Sequence, residues 1–129
     1  VNNFVYLARE GFFDGLDVFR VATALFQTGS PTNTSVGGPG YTVQAELPTS
    51  PYGVGSVAWG KRGIDAPGTA GSQFFVVTGA NSLTLEYGII GKVTDGLDVL
   101  TKISALAPSS GDGTPTTPVT MTKVTITES

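Results

Sequence analysis

Glycine and proline interrupt this chain so often that only short elements joined by tight turns can form from it. There are 18 glycines and 8 prolines among 129 residues, and uninterrupted apolar runs last only a few residues. Glycine provides the positive φ of tight turns and proline fixes φ, so such a chain reads as turn-rich and mainly β rather than as a helix bundle. The length suits one domain with a real core. With 40% hydrophobic and 13% charged residues, it is too apolar for disorder, and no run is long enough to span a membrane.

The charge pattern and the missing residue types exclude several chemistries. The net charge is −3, and the seven Lys and Arg residues are spread along the chain without a basic cluster. Nucleic acid is therefore not an expected partner. There is no cysteine and no histidine, which removes disulfides, thiolate nucleophiles, imidazole acid–base catalysis and soft-ligand zinc sites. Ser-His and Cys-His triads go with them, and no S-x-x-K dyad occurs. Asp14, Asp17, Glu46, Asp65, Glu86, Asp95, Asp98 and Asp112 have no metal-ligand spacing, so no metal is expected. Gly37-Gly38-Pro39-Gly40 lacks the lysine and following helix of a phosphate cradle. Asn33-Thr34-Ser35 is a formal glycosylation sequon in a chain whose compartment is unknown.

Periodicity outlines the elements. Val1 to Glu10 puts Phe4, Val5, Leu7 and Ala8 on one helical stripe, with Gly11 as its stop. After a Phe13-Asp14-Gly15 turn, Val18 to Phe26 reads as one apolar strand region interrupted by Arg20. Gln27 to Tyr41 reads as a long loop of the kind more often functional than idle. Strands are predicted at Ser56–Trp59, Phe74–Thr78 and Ile89–Val93, with Gly91 marking a close backbone approach. Between them, Gly60 to Gly71 is a loop. Leu97 to Leu106 has helical spacing and a cap at Thr94 or Asp95. Val119 to Thr127 alternates as a strand whose phase switches between Met121 and Val124, predicting a bulge near Lys123. Short strands with two short helices suggest a barrel or sandwich.

Single residues leave function open. Arg20 between Val18-Phe19 and Val21-Ala22 is expected, taken alone, to pair with Asp14 or Asp17 at a sheet edge. Gln73 ahead of Phe74-Phe75-Val76-Val77 reads as a satisfied core amide or a ligand contact. Phe26, Phe75, Leu83 and Trp59 either line a pocket or fill the core.

Four motifs in register point further. Gly71-Ser72-Gln73-Phe74-Phe75 resembles the G-S-Q-F-F signature of cyclophilins. Gly11-Phe12-Phe13-Asp14-Gly15 followed by Val18-Phe19-Arg20-Val21 is similar to that family's G-[FY]-Y-D-G…F-H-R-[VI]. Gln27-Thr28-Gly29-Ser30-Pro31 with Gly37-Gly38-Pro39-Gly40-Tyr41 resembles Q-G-G-D-P…G-G-P-G-Y, and Ile90 to Val99 resembles F-G-[KR]-V-x-x-G-[LM]-D-V. The resemblance runs from Val1 to Ile126.

It implies a cyclophilin-like closed antiparallel β-barrel flanked by two helices, with the family's first two strands missing, so that the chain reads as N-terminally truncated. It also implies a peptidyl-prolyl cis–trans isomerase that assists protein folding and acts without a covalent step or cofactor. Its partners would be proline-containing peptides or unfolded proteins, and the protein would be a monomer. Arg20 and Gln73 are the implied catalytic residues, Arg20 beside the prolyl nitrogen and Gln73 on the substrate backbone and holding Arg20. Phe26, Phe75 and Leu83 are the implied proline pocket, with Tyr87 where many members have His. Gln27, Gly60 and Lys61 complete the implied substrate contacts, Gly60 and Lys61 through their backbone. Similar actinobacterial members sit outside the membrane on an upstream anchor, which leaves an extracytoplasmic or a cytoplasmic location open.

Several positions depart from the family pattern. Phe19 replaces a His, Lys61 an Asn, and Ser82 a rim position where Trp would favour cyclosporin-type ligands. Ala22-Thr23-Ala24-Leu25-Phe26 replaces a segment with P-G-F and is one residue shorter, so either Leu25 or Phe26 could take the pocket aromatic's place. The altered segment supports a second reading, a cyclophilin-like proline-peptide binding module with little turnover.

Overall fold

The structure is a computed structural model describing residues 2–128, and Val1, where the expected first helix begins, lies outside them. Helix α1 (Asn2–Arg9) ends as its glycine predicts. Gly11 takes φ 73°, Phe12 N–H reaches Leu7 O at 3.0 Å and Gly11 N–H reaches Ala8 O at 3.1 Å, the paired bonds of a Schellman stop. The strands that follow are β1 (Arg20–Ala22), β2 (Leu25–Thr28), β3 (Val43–Gln44), β4 (Ser56–Trp59), β5 (Thr69–Ala70), β6 (Phe74–Val77) and β7 (Ile89–Lys92). Helix α2 (Leu97–Ser104) and β8 (Asp112–Gly113) complete the order.

Six strands form one antiparallel sheet in the order β7-β4-β6-β2-β1-β8, and β3 pairs with β5 separately. The fold is thus mainly β with two helices. Among the described residues the sheet is open, with β7 and β8 at its ends. Central β6 is buried on both faces, and the period of two sends alternate residues to separate clusters. Val21, Phe26, Trp59, Phe74 and Val76 join Leu7, Phe13, Val18 and Leu100 in the main core. Leu25, Ala58, Phe75 and Val77 lie on the other face with Tyr52. Phe4 ties α1 into the main core by stacking on Phe13 at 5.0 Å and meeting Phe74 edge-on at 5.4 Å.

Several sequence expectations need correction. The apolar stretch Val18–Phe26 is a hairpin turning at Thr23-Ala24, and Gln27 and Thr28 belong to β2 rather than to the loop. Gly91 has open space where a Cβ would stand. It lies beside a register shift, with Val57 opposite Gly91 but Ala58 opposite Ile89, and that irregularity replaces the predicted close approach. Helix α2 begins after Gly96, in the left-handed conformation at φ 84°, with no side-chain cap from Thr94 or Asp95, and it ends two residues before Leu106. Val119–Thr127 is extended but is not a ladder strand. Among the described residues it pairs with residues 15–18, through Val18 N–H to Val119 O and Met121 N–H to Leu16 O, both 2.8 Å. Farther along, Val124 N–H turns to the Asp14 carboxylate. The phase switch itself is present, because Val119, Met121, Val124 and Ile126 all pack on the core.

Candidate functional site

The β1–β2 hairpin sets the centre of the site. Its register places Arg20 opposite Gln27, and the β2–β6 register places Gln27 opposite Phe75. Directly opposed residues share a face, so Arg20, Gln27 and Phe75 stand together on the face away from the main core. Arg20 donates from one terminal nitrogen to Gln27 Oε1 at 3.1 Å. Gln27 Nε2 then donates to Gln73 Oε1 at 2.9 Å, and Gln73 Nε2 donates to the Gly37 carbonyl at 2.7 Å. Gln73 was expected to hold Arg20. It does so at one remove, through Gln27, whose amide spends both its ends inside the network.

The carboxylate facing Arg20 is Asp112, not Asp14 or Asp17. Arg20 Nε and its other terminal nitrogen donate to the two Asp112 oxygens at 2.9 Å each. Asp14 instead accepts from Val124, and Asp17 binds Thr120 and Asn33. The Asp112 hydrogen bond is the main influence holding the Arg20 guanidinium above its ordinary pKa, partly opposed by burial. In return, Arg20 holds Asp112 below the usual carboxylate range. Three of the five guanidinium N–H groups are thereby engaged, leaving one on each terminal nitrogen.

Beside this network is a cleft of about 540 Å³. Five of the expected residues line it, namely Arg20, Gln27, Gly60, Lys61 and Gln73, opposite the loop from Ser35 to Thr42. The Gln27–Tyr41 segment thus supplies a cleft wall beyond its first two residues. Gly60 is needed for space, since a Cβ there would come within 3.1 Å of Gln27 Nε2, and its N–H is donated to the Gln73 carbonyl. From α1, Asn3 fixes two points of the wall by donating to Gly71 O at 2.7 Å and accepting from the Tyr41 hydroxyl at 2.6 Å. Each cation lining the cleft has its own carboxylate: Arg20 has Asp112, Lys61 has Glu86 at 3.3 Å, and Arg62 has Asp65 at 2.9 Å. Lys61 is pinned most tightly. Its side chain is 2% exposed and its ammonium lies 5.3 Å from the centre of the Tyr87 ring.

Phe75, Leu83 and Tyr87 gather outside this cleft lining, in the second apolar cluster with Leu25, Ala22 and Tyr52. Phe75 is only 4% exposed and meets Tyr87 edge-on at 5.4 Å. The Tyr52 hydroxyl donates to Tyr87 O and accepts from Tyr87 N–H, which fixes the chain around that ring. Asn81 accepts from Leu83 N–H and so places Leu83. Phe26 does not join them. It points into the main core at 7% exposure, because it alternates with Leu25 and Gln27 along β2. Between the two candidates, Leu25 is the residue beside Phe75. Asp112 and the bridging role of Gln27 were missed from sequence; the signal for Asp112 was a carboxylate set between two glycines in a Ser/Gly-rich stretch.

Comparison with known proteins shows which family the chain resembles. The profile of the family described as "Cyclophilin type peptidyl-prolyl cis-trans isomerase/CLD" matches residues 1–126. The chain is similar to the probable peptidyl-prolyl cis-trans isomerase B of Mycobacterium tuberculosis, with 37% identity over 96% of this chain and 46% of that protein. It thus spans about half the length of that relative. It is also similar to peptidyl-prolyl cis-trans isomerase B of Bacillus subtilis, with 40% identity over 81% of this chain and 73% of that one. Among solved structures, a Cryptosporidium parvum cyclophilin type peptidyl-prolyl cis-trans isomerase crystallised in the presence of the dipeptide Ala-Pro shares the fold. Its TM-score is 0.83 and its identity 24%, covering 99% of this chain and 84% of that one.

Proposed function

Since this chain belongs to the cyclophilin-type peptidyl-prolyl cis–trans isomerase family, we propose that it catalyses rotation about the peptide bond preceding proline in peptides and unfolded proteins. The observation that carries this reading is an arginine held through three N–H groups by Asp112 and Gln27, with two N–H groups left over, beside a buried aromatic cluster.

The chemistry needs little more than this. Amide resonance sets a barrier of ~18–20 kcal/mol, and the uncatalysed exchange takes tens to hundreds of seconds. In the twisted transition state the prolyl nitrogen loses conjugation and regains a lone pair. A fixed cationic N–H donor aimed at that nitrogen stabilises the twisted state more than the planar one, which is the condition for raising kcat. Neither nucleophile nor cofactor has to take part. Arg20 fills the donor role, with Gln27 and Gln73 holding it and the substrate backbone in register. The proline ring packs on Phe75 with Leu83, Leu25 and Tyr87. Because Gly60 N–H is already donated to Gln73, Gly60 offers an extended peptide its carbonyl, and the donor for backbone pairing falls to Lys61. Reducing the barrier by ~6–7 kcal/mol gives about 10⁵-fold acceleration. The same reading carries the family's closed barrel, in which the free edges at β7 and β8 are paired.

The turn at Thr23-Ala24 brings no aromatic to the Phe75 face, and this one observation favours the alternative, a proline-peptide binder with little turnover. Exchange spectroscopy on an X-Pro peptide, with and without the intact protein, tests the choice. Acceleration that disappears in Arg20→Ala supports the isomerase. Saturable peptide binding by a folded protein without acceleration replaces it with the binding module.

A further inference from the structure

Asp112 meets Arg20 in a way that the sheet itself prepares. The β1–β8 register pairs Ala22 with Asp112, so Asp112 is the diagonal neighbour of Arg20 on the same face, within reach of a long side chain. Its backbone is anchored on both sides. Gly111 and Gly113 both have positive φ, at 86° and 151°. Gly111 N–H donates to Pro108 O at 2.8 Å, Ser110 Oγ reaches Asp112 O at 3.1 Å, and Thr116 N–H donates to Leu106 O at 2.8 Å. This short, tied segment presents one carboxylate to one edge of the guanidinium.

We propose that Asp112 is a positioning residue for Arg20, fixing the plane of its guanidinium so that the two remaining N–H groups point to the substrate. The proposal rests on the isomerase reading above. Without Asp112, Arg20 keeps one hydrogen bond, to Gln27, and a single bond leaves the planar group free to swing about it. The two-point fork removes that freedom, as bidentate arginine–carboxylate pairs do. A purely structural role does not account for so well-aligned a pair. The side chains are 40% and 52% exposed, and ion pairs at that exposure add little to stability. The benefit therefore falls on geometry, where small misplacements of a catalytic group are costly.

The test is a cycle of four intact proteins: wild type, Asp112→Ala, Arg20→Ala and the double variant. Each is measured by exchange spectroscopy on an X-Pro peptide, by peptide affinity, and by the Nε–H resonance of Arg20 where that residue is present. Asp112→Ala is expected to lower kcat/KM about tenfold, nearly all in kcat, with peptide Kd within about twofold. In the Arg20→Ala background the same change is expected to cost nothing more, because its effect passes through Arg20. The slowly exchanging Nε–H resonance is expected to vanish in Asp112→Ala and to return in Asp112→Glu with part of the rate. An unchanged rate in Asp112→Ala, or an equal loss in the Arg20→Ala background, overturns the proposal. A folded wild type that binds peptide but does not accelerate exchange overturns the isomerase reading instead. The Nε–H resonance and the affinity of Asp112→Ala then decide whether Asp112 orients Arg20 on a bound peptide.

Discussion

The side chains of Gln27 and Gln73 meet head to tail, the Nε2 of one donating to the Oε1 of the other at 2.9 Å. That contact fixes which way both amides face. With Nε2 committed to Gln73, Gln27 must turn Oε1 toward Arg20, and with Oε1 committed to Gln27, Gln73 must turn Nε2 toward the Gly37 carbonyl. Strand β2, the residue leading into β6 and the glycine-rich wall of the cleft are thereby linked by one polar chain.

Gln27→Glu breaks that chain at its middle while changing almost no volume. A carboxylate still accepts from Arg20 but has nothing to donate to Gln73 Oε1, so Gln73 must flip and release the Gly37 carbonyl. Losing one satisfied polar contact of this kind costs ~1–2 kcal/mol. The expected result is about a tenfold fall in kcat/KM for an X-Pro peptide, measured by exchange spectroscopy, with the fold intact by circular dichroism. Wild-type activity in this variant means that the amide chain does not orient the site.

Replacing Arg20 distinguishes charge from shape. Removing a donor to the transition state costs about 10²–10³-fold, and that loss is expected for Arg20→Ala. Arg20→Lys keeps the charge but has a compact ammonium that cannot hold Asp112 and Gln27 together and still face substrate. Its rate is expected within about fivefold of Arg20→Ala. A lysine variant near wild-type activity assigns the effect to charge alone and removes the need for a planar fork.

What could be read from the sequence depended on how local the cause was. Gly11 stops α1 through its own backbone, and the phase switch between Met121 and Val124 is written in consecutive side chains, so both were visible. The hairpin inside Val18–Phe26 was not, because Thr23-Ala24 carries none of the Gly, Asn or Pro that announce a turn. The core position of Phe26 was hidden for the same reason, since without the hairpin register no argument separates it from Leu25. Motif resemblance identified Arg20, Gln73, Gly60 and Lys61, which do share a cleft. Asp112 stands 92 positions from Arg20 and meets it only because β8 closes onto β1. Pairings that depend on strand order are lost to any local reading, and the nearby Asp14 and Asp17 were the natural but wrong partners.

The pH dependence follows from which groups can titrate. The chain has no histidine, and the arginine at the centre of the site is held above its ordinary value. Peptide exchange rates are therefore expected to be flat between about pH 6 and 8. Below that range the carboxylates of the cleft pairs matter. Asp112 and Asp65 lie below their ordinary values chiefly through bonds from Arg20 and Arg62, and Glu86 chiefly through Thr84 and then Lys61. A depressed folded value means stability that is fully present above the unfolded pKa of about 4 and lost as pH falls through the folded one. Because each of these pairs is at least partly exposed to solvent, denaturant midpoints should hold steady from pH 7 to about 5 and decline only slightly below about 4. A step in rate near pH 6.5 contradicts this account.

Phe26 and Leu25 offer the sharpest contrast between core and site, because adjacent residues on β2 face opposite ways. Phe26 lies in the main core at 7% exposure, whereas Leu25 packs in the cluster of Phe75. Phe26→Ala empties space among Trp59, Phe74 and their neighbours and is expected to cost ~3–5 kcal/mol of stability. Leu25→Ala is expected to cost ~2–5 kcal/mol, the range for large-to-small core changes. Their effects on peptide binding should differ. Titrating an X-Pro peptide into folded protein well below each unfolding midpoint should give wild-type affinity for Phe26→Ala and a severalfold loss for Leu25→Ala. If Phe26→Ala does not fold, Phe26→Leu makes the same comparison at lower cost. Loss of affinity on changing Phe26 rather than Leu25 would put the aromatic back in the proline pocket and the β2 register in error.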